Sequence, residues 1–275
     1  MATTPAPASS PAPARASGPA GTARSPRVLV ALTASEARLY LREPSAVFFG
    51  LFFPAVLLLA LGLLMPWADQ PFGETPPLSQ ITAITGYTPI VLALAIGTVG
   101  YTTLPPTMGT YREKGVLRRL STTPLPPSRL LVAQLLVNLA MLVIASSLAV
   151  VGGAALLDIA MPANVGVTLL AFVVGAAASM SVGLLIAALA PTAGAATGAG
   201  MLVYMTSLFF AGVWFPLPLM PDVVQTISRF TPLGAASQAL AAGWYEGTFP
   251  GVELLVMAVW TAVMVPLAAR LFRWT

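Results

Sequence analysis

Apolar residues in this chain come in long unbroken runs separated by short charged or proline-rich connections. The first uncharged interval lies between Glu43 and Asp69 and contains VFFGLFFPAVLLLALGLLM. The second lies between Glu74 and Arg112, with its core near ITGYTPIVLALAIGTVGYTTL. A third runs from Arg129 to Asp158. The interval from Asp158 to Asp222 is too long for one crossing and divides at Pro191-Thr192-Ala193-Gly194. A last run surrounds LLVMAVWTAVMVPLAARLF. A helix needs about 20 mostly apolar residues to cross the hydrocarbon of a bilayer. The pattern therefore predicts six transmembrane helices, at about 46–66, 83–104, 130–155, 165–190, 195–214 and 252–272. Barrel strands would alternate with period two over about 10 residues; these runs are continuous and longer, so an all-α integral membrane fold is expected.

The connections have characters of their own. Residues 1–26 are Pro, Ala, Ser and Thr with scattered Arg, have little to bury, and are expected to form a disordered cytoplasmic tail. Residues 27–43 read as an amphipathic interface helix, with Leu29, Leu32 and Leu39 able to share a face and Glu36, Arg38 and Arg42 left to water and lipid phosphates. That stretch is either a basic flank or a surface helix that also meets a partner. Between spans two and three a charged helix is expected over Tyr111–Ser121, stopped by Pro124, Pro126 and Pro127. Its charge either binds anionic lipid heads or docks a soluble protein. The connection before span six, about 215–245, is long and nearly uncharged, and is expected to fold back as re-entrant helices in the outer leaflet.

Composition removes the alternatives to a membrane protein. Of 275 residues, 57% are hydrophobic and only 8% charged, too few charges to coat a water-facing surface when soluble domains carry about 25%. Orientation follows from the basic residues. Twelve of the 13 Lys and Arg fall in the N-terminal segment, the connection between spans two and three, or the C-terminus; Arg229 alone lies on the other side. Both termini are thus expected in the cytoplasm. Trp67, Trp214, Trp244 and Tyr245 then mark outer span ends, and Tyr40, Tyr111 and Trp274 inner ones.

With no Cys and no His, cysteine nucleophiles, Ser-His-Asp triads and His or Cys metal sites are excluded. Lys114 is the only lysine and stands in no phosphate-binding loop, so this chain is not expected to hydrolyse ATP. No span carries a charge near its centre, which argues against a self-powered, ion-coupled pump. The carboxylates Asp69, Glu74, Asp158, Asp222, Glu246 and Glu253 follow no catalytic pattern. Gln134, Asn138, Thr206 and Ser207 are polar residues inside spans, either gluing helices or lining a substrate cavity. The Gly194–Gly198 GxxxG is read as intrachain packing.

Three stretches resemble the ABC-2 type membrane permeases, the drug and polysaccharide exporter branch of ATP-binding-cassette transporters. They are Arg42-Glu43-Pro44 with SAVFFGLFFPAVLLLALG, the run from Tyr111 to Leu125 matching E-x-G-T/V-L-R-R-L-x-x-T-P-L, and Phe210–Leu217 with Met220-Pro221 and Phe230–Gly234. The resemblance implies a half-transporter in the bacterial plasma membrane that pairs with a second copy or paralogue and with separate ATPase subunits. ATP and Mg would belong to the ATPase, no cofactor to this chain, and no nucleic acid is expected as partner. It implies that Arg112, Glu113, Gly115, Leu117, Arg118 and Arg119 form a coupling helix, and that Arg38 and Arg42 belong to the interface helix. Leu104-Pro105-Pro106 departs from the family pattern: two prolines should bend or end the helix before the coupling element, leaving span three to carry its motion. The expected cargo is an amphiphilic small molecule of drug or antibiotic type, or a lipid or glycan. The competing reading is a non-transporting anchor that recruits a cytoplasmic protein through the 111–121 helix.

Overall fold

The computed structural model describes residues 26–121 and 128–272. The expected tail before Pro26, the prolines Pro124, Pro126 and Pro127, and Arg273 and Trp274 lie outside the described residues. The described chain is helical. Helix α1 is Pro26–Leu41, α2 Pro44–Leu64, α3 Ala83–Glu113 and α4 Val116–Ser121. Then follow α5 Ser128–Leu157, α6 Val165–Leu189, α7 Ala193–Phe210, α8 Asp222–Arg229, α9 Pro232–Ala241 and α10 Gly251–Leu271. Six of them, α2, α3, α5, α6, α7 and α10, are long and apolar enough to cross a membrane.

The caps follow local chemistry. Thr82, Asn164 and Thr192 each accept an N-terminal amide through the side chain, starting α3, α6 and α7. Thr192 follows Pro191, so a turn of a few residues suffices to reverse the chain between α6 and α7.

Helix α3 is the axis of the bundle. Its apolar window is 94% buried, against 17–44% for the other five. It packs on α2, α5, α6, α7 and α9. Helix α9 is itself buried along most of its length, wedged among α3, α6 and α10. Ser237 and Ser228 donate to the carbonyls of Ala211 and Phe210, tying this segment to the end of α7. The largest core cluster contains Leu58, Ile96, Tyr101, Leu142, Leu233 and Met257, drawn from four spans and α9.

Of the two outcomes expected of Pro105 and Pro106, a bend or an end to the helix, the end does not occur. A π-helical turn over Thr98–Thr103 immediately precedes them, and α3 runs on to Glu113. A proline lacks the N–H for the i−4 carbonyl and crowds it; the wider turn shifts that register before the rings arrive. Thr102 and Thr103 donate to the carbonyl of Thr98, and Thr107 to that of Thr103, so the hydroxyls of this stretch bond within their own helix. The same device recurs in α2, where a π-turn over Phe48–Phe52 precedes Pro54.

The π-turn of α3 is met by glycines. A Cβ on Gly183 of α6 would lie 1.9 Å from the carbonyl oxygen of Gly100, and one on Gly200 of α7 would lie 2.2 Å from that of Tyr101. The GxxxG reading needs correction, because Gly194 and Gly198 have nothing within 4 Å of a built Cβ and pack on no part of the described chain. Gly200, two residues beyond, makes the close approach.

Candidate functional site

The charged connection between spans two and three was expected as one helix over Tyr111–Ser121; the structure splits it. Tyr111, Arg112 and Glu113 are the last turn of α3, and Gly115, at φ +66°, reverses the chain into α4. Only glycine adopts that left-handed conformation without strain, and here it closes the helix as its amide meets the Arg112 carbonyl. Arg119 reaches back to donate to the carbonyl of Lys114 at 2.9 Å.

Leu117 anchors α4. It is 1% exposed and packs in a cluster with Leu130, Ala188, Ala268 and Phe272, the ends of α5, α6 and α10. Leu32 of α1 and Tyr111 lie against the same cluster. Lys114, Arg119, Arg38 and Arg42 are exposed. The side chain of Arg118 lies outside the described residues.

Arg112 and Glu113 reach across to the turn between α6 and α7, Arg112 half-buried and Glu113 exposed. The Arg112 guanidinium donates to the carbonyls of Ala190 and, at 3.3 Å, Ala187, at the C-terminus of α6, and sits 5.6 Å from the ring centre of Phe272. The Glu113 carboxylate accepts the amide of Ala193, the first residue of α7, at 3.0 Å. A cation on terminal carbonyls and an anion on a leading amide both complement the helix dipoles.

A second network holds α1. Glu36 was expected to face water; instead it is 6% exposed. Its carboxylate accepts the Tyr111 hydroxyl of α3 at 2.5 Å and the amide of Gln134 of α5. The correction has a simple cause: two donors from two spans replace the water that the carboxylate gives up. Burial pushes the Glu36 carboxyl above its ordinary range, and the two hydrogen bonds oppose that rise.

From this network a groove of about 1120 Å³ runs between α2, α3 and α7 to the opposite end of the bundle. Glu36, Arg42, Glu43 and Lys114 lie at one mouth, and Trp67, Tyr87 and Trp214 at the other. Between them stand Thr98, Thr102 and Thr107, faced by Met201, Tyr204 and Leu208 of α7. Thr98 and Tyr204 share a hydrogen bond of 2.8 Å across the groove floor.

Of the four polar span residues, the structure brings only Gln134 to this groove. Asn138 is buried one turn away and donates to the Gln134 carbonyl. Ser207 is buried in the core, and Thr206 faces outward from α7. The threonines of α3 were not singled out from sequence, although their recurrence at 98, 102, 103, 107 and 110 was a readable polar stripe in an apolar span.

The sequence model of the ABC-2 type transporter family matches residues 27–245, which include α1, the charged connection split between α3 and α4, and the groove walls. No curated protein matches the chain.

Proposed function

Because the chain belongs to the ABC-2 type transporter family, the membrane permeases of ABC transporters, we propose that it is the transmembrane subunit of an ATP-driven exporter of amphiphilic small molecules, of drug or antibiotic type. The groove carries this reading. Ligand sites for drug-sized molecules typically measure about 300–1000 Å³, and this groove is as large and extends from a charged mouth to an aromatic one. Its centre is apolar and hydroxyl-bearing with no fixed charge, which suits an amphiphile better than an ion. The threonine hydroxyls donate to their own helix, so the groove offers methyl groups and spare oxygen acceptors rather than strong donors.

The basic end faces the cytoplasm in this reading, by the distribution of Lys and Arg. Exposed Lys114 and Arg119, with Arg38 and Arg42, then face a separate ATPase subunit that supplies the ATP and Mg chemistry. The α8–α9 segment dips into the outer leaflet. A second copy or paralogue covers the groove: α7 has the lowest mean hydropathy of the six spans, 1.3, yet its window is only 28% buried within this chain.

The test is a gentle-detergent pull-down from the native host followed by reconstitution. An ATP-binding-cassette ATPase at equal stoichiometry, and ATP-dependent movement of a fluorescent amphiphile in vesicles, are the expected results. Capture of a kinase or other regulator with no ATPase would replace the transporter by a membrane anchor.

A further inference from the structure

Arg112 and Glu113 are neighbours in sequence that hold opposite ends of one turn. The arginine binds the last carbonyls of α6, and the glutamate binds the first amide of α7. Between those contacts lie only Pro191 and Thr192. The pair therefore straddles the turn joining spans four and five, and its charges match the dipole at each side. The guanidinium engages two carbonyls and a ring through its terminal nitrogens, with Nε unpaired, and the carboxylate, though exposed, holds a backbone amide through one oxygen.

We propose that Arg112 and Glu113 form a clamp that transmits displacement of α4 to span five, and that they are positioning residues and not contacts of the ATPase. This rests on the permease reading above. Three observations define the path. Helix α4 is joined to the clamp through Lys114 and Gly115 alone and is held down by Leu117, which packs beside Ala188 on α6. The clamp grips the start of α7 at Ala193. One turn further along α7, Thr197 enters the groove wall, followed by Met201, Tyr204 and Leu208. A push on α4 thus reaches the groove through span five, while Tyr111, one residue before the clamp, carries it to α1 by way of Glu36. The cations on the exposed face, Lys114 and Arg119, meet the ATPase in this reading.

The conservative variants separate charge from contact. Glu113→Gln keeps an oxygen for the Ala193 amide; Glu113→Ala removes it. With the full chain and its co-purified ATPase in proteoliposomes, Glu113→Ala should retain ATPase capture and basal ATP turnover. Transport per ATP should fall about tenfold or more, the scale of a lost charge-assisted hydrogen bond. Glu113→Gln should recover at least about half of it. Loss of ATPase capture in Glu113→Ala, or unchanged transport per ATP, would overturn the clamp.

A second measurement needs no ATPase. The chain contains no cysteine, so spin labels at Lys114→Cys and Gly194→Cys, both exposed, report the gap directly in nanodiscs. A single narrow distance is expected with Glu113 or Gln at that position, and a broadened one with Ala. Equal widths in all three would remove the clamp even if transport were altered. If the wild-type chain captures no ATPase while the labels behave as described, the permease reading fails and the mechanical link stands.

Discussion

Gly183→Ala tests the packing of span two most sharply. The added Cβ would sit 1.9 Å from the backbone oxygen of Gly100, and real carbon contacts under 3.0 Å essentially never occur. Neither partner can swing aside, because the obstacle is main chain inside a helix. Helices α3 and α6 must therefore separate by about 1 Å, a gap that forfeits a quarter to a half of each van der Waals well along the contact. Overpacking of this kind costs about 1–3 kcal/mol, and the rigid obstacle places it at the upper end. Replacing Gly by Ala in a helix returns roughly 0.5–1 kcal/mol. The net loss is about 2 kcal/mol, or roughly 4–8 °C in melting temperature for a chain of this size. Gly198→Ala is the control, since a Cβ there meets nothing within 4 Å. Thermal unfolding of both variants in the same detergent, followed by tryptophan fluorescence and size exclusion, reads the difference. Equal melting of Gly183→Ala and Gly198→Ala would refute the close approach of the two spans.

Other outcomes follow from the same structure. Glu36 has a raised pKa, so its ionised form costs stability at neutral pH, and that cost disappears as pH falls through the folded value toward 4.5. The melting temperature of Glu36→Gln relative to wild type should therefore be highest near pH 7.5 and decline toward pH 5; a flat difference would show that the carboxyl is not desolvated. Arg229 and Glu253 pair at 2.5 Å with the arginine 47% exposed and the glutamate 7%. Arg229→Ala should cost about 1–3 kcal/mol in thermal melts, because it strands a buried carboxylate, and Arg229→Met with Glu253→Gln should recover most of it. Leu117→Ala should cost about 2–4 kcal/mol locally, detected as faster proteolysis at α4 with the spans intact. A double-mutant cycle of Thr98→Val and Tyr204→Phe should give a coupling near 0.6 kcal/mol, the average for hydrogen bonds between membrane helices.

The six spans were legible because each is an apolar interval bounded by charge or proline, and hydrophobic length alone decides whether a helix can cross. The side chains that start α3, α6 and α7, Thr82, Asn164 and Thr192, were a readable capping signal that the hydrophobic pattern alone did not use. What escaped was how the chain accommodates Pro105 and Pro106. A π-turn is a change of hydrogen-bond register, and register leaves no mark on the pattern of side chains. The glycines that meet it, Gly183 and Gly200, are indistinguishable in sequence from Gly194 and Gly198, which meet nothing. The charged connection stood out by its density of charge and its resemblance to the family, yet the direction of Arg112 and Glu113 did not. Their partners are backbone atoms 75–80 residues away, and a carbonyl or an amide advertises nothing in a string of letters. Glu36 was misjudged for a related reason: its donors, Tyr111 and Gln134, come from two different spans.

The near-complete enclosure of α3 has a consequence for how the protein is made. This helix leaves the ribosome directly after α2, but most of what covers it, α5, α6, α7 and α9, is synthesised afterwards. Until those segments arrive, the faces of α3 that they cover meet only lipid or the insertion machinery. Birth order and burial order therefore run in opposite directions: α3 is made before most of its surroundings, and a nascent chain halted before α9 holds its own axis unclothed.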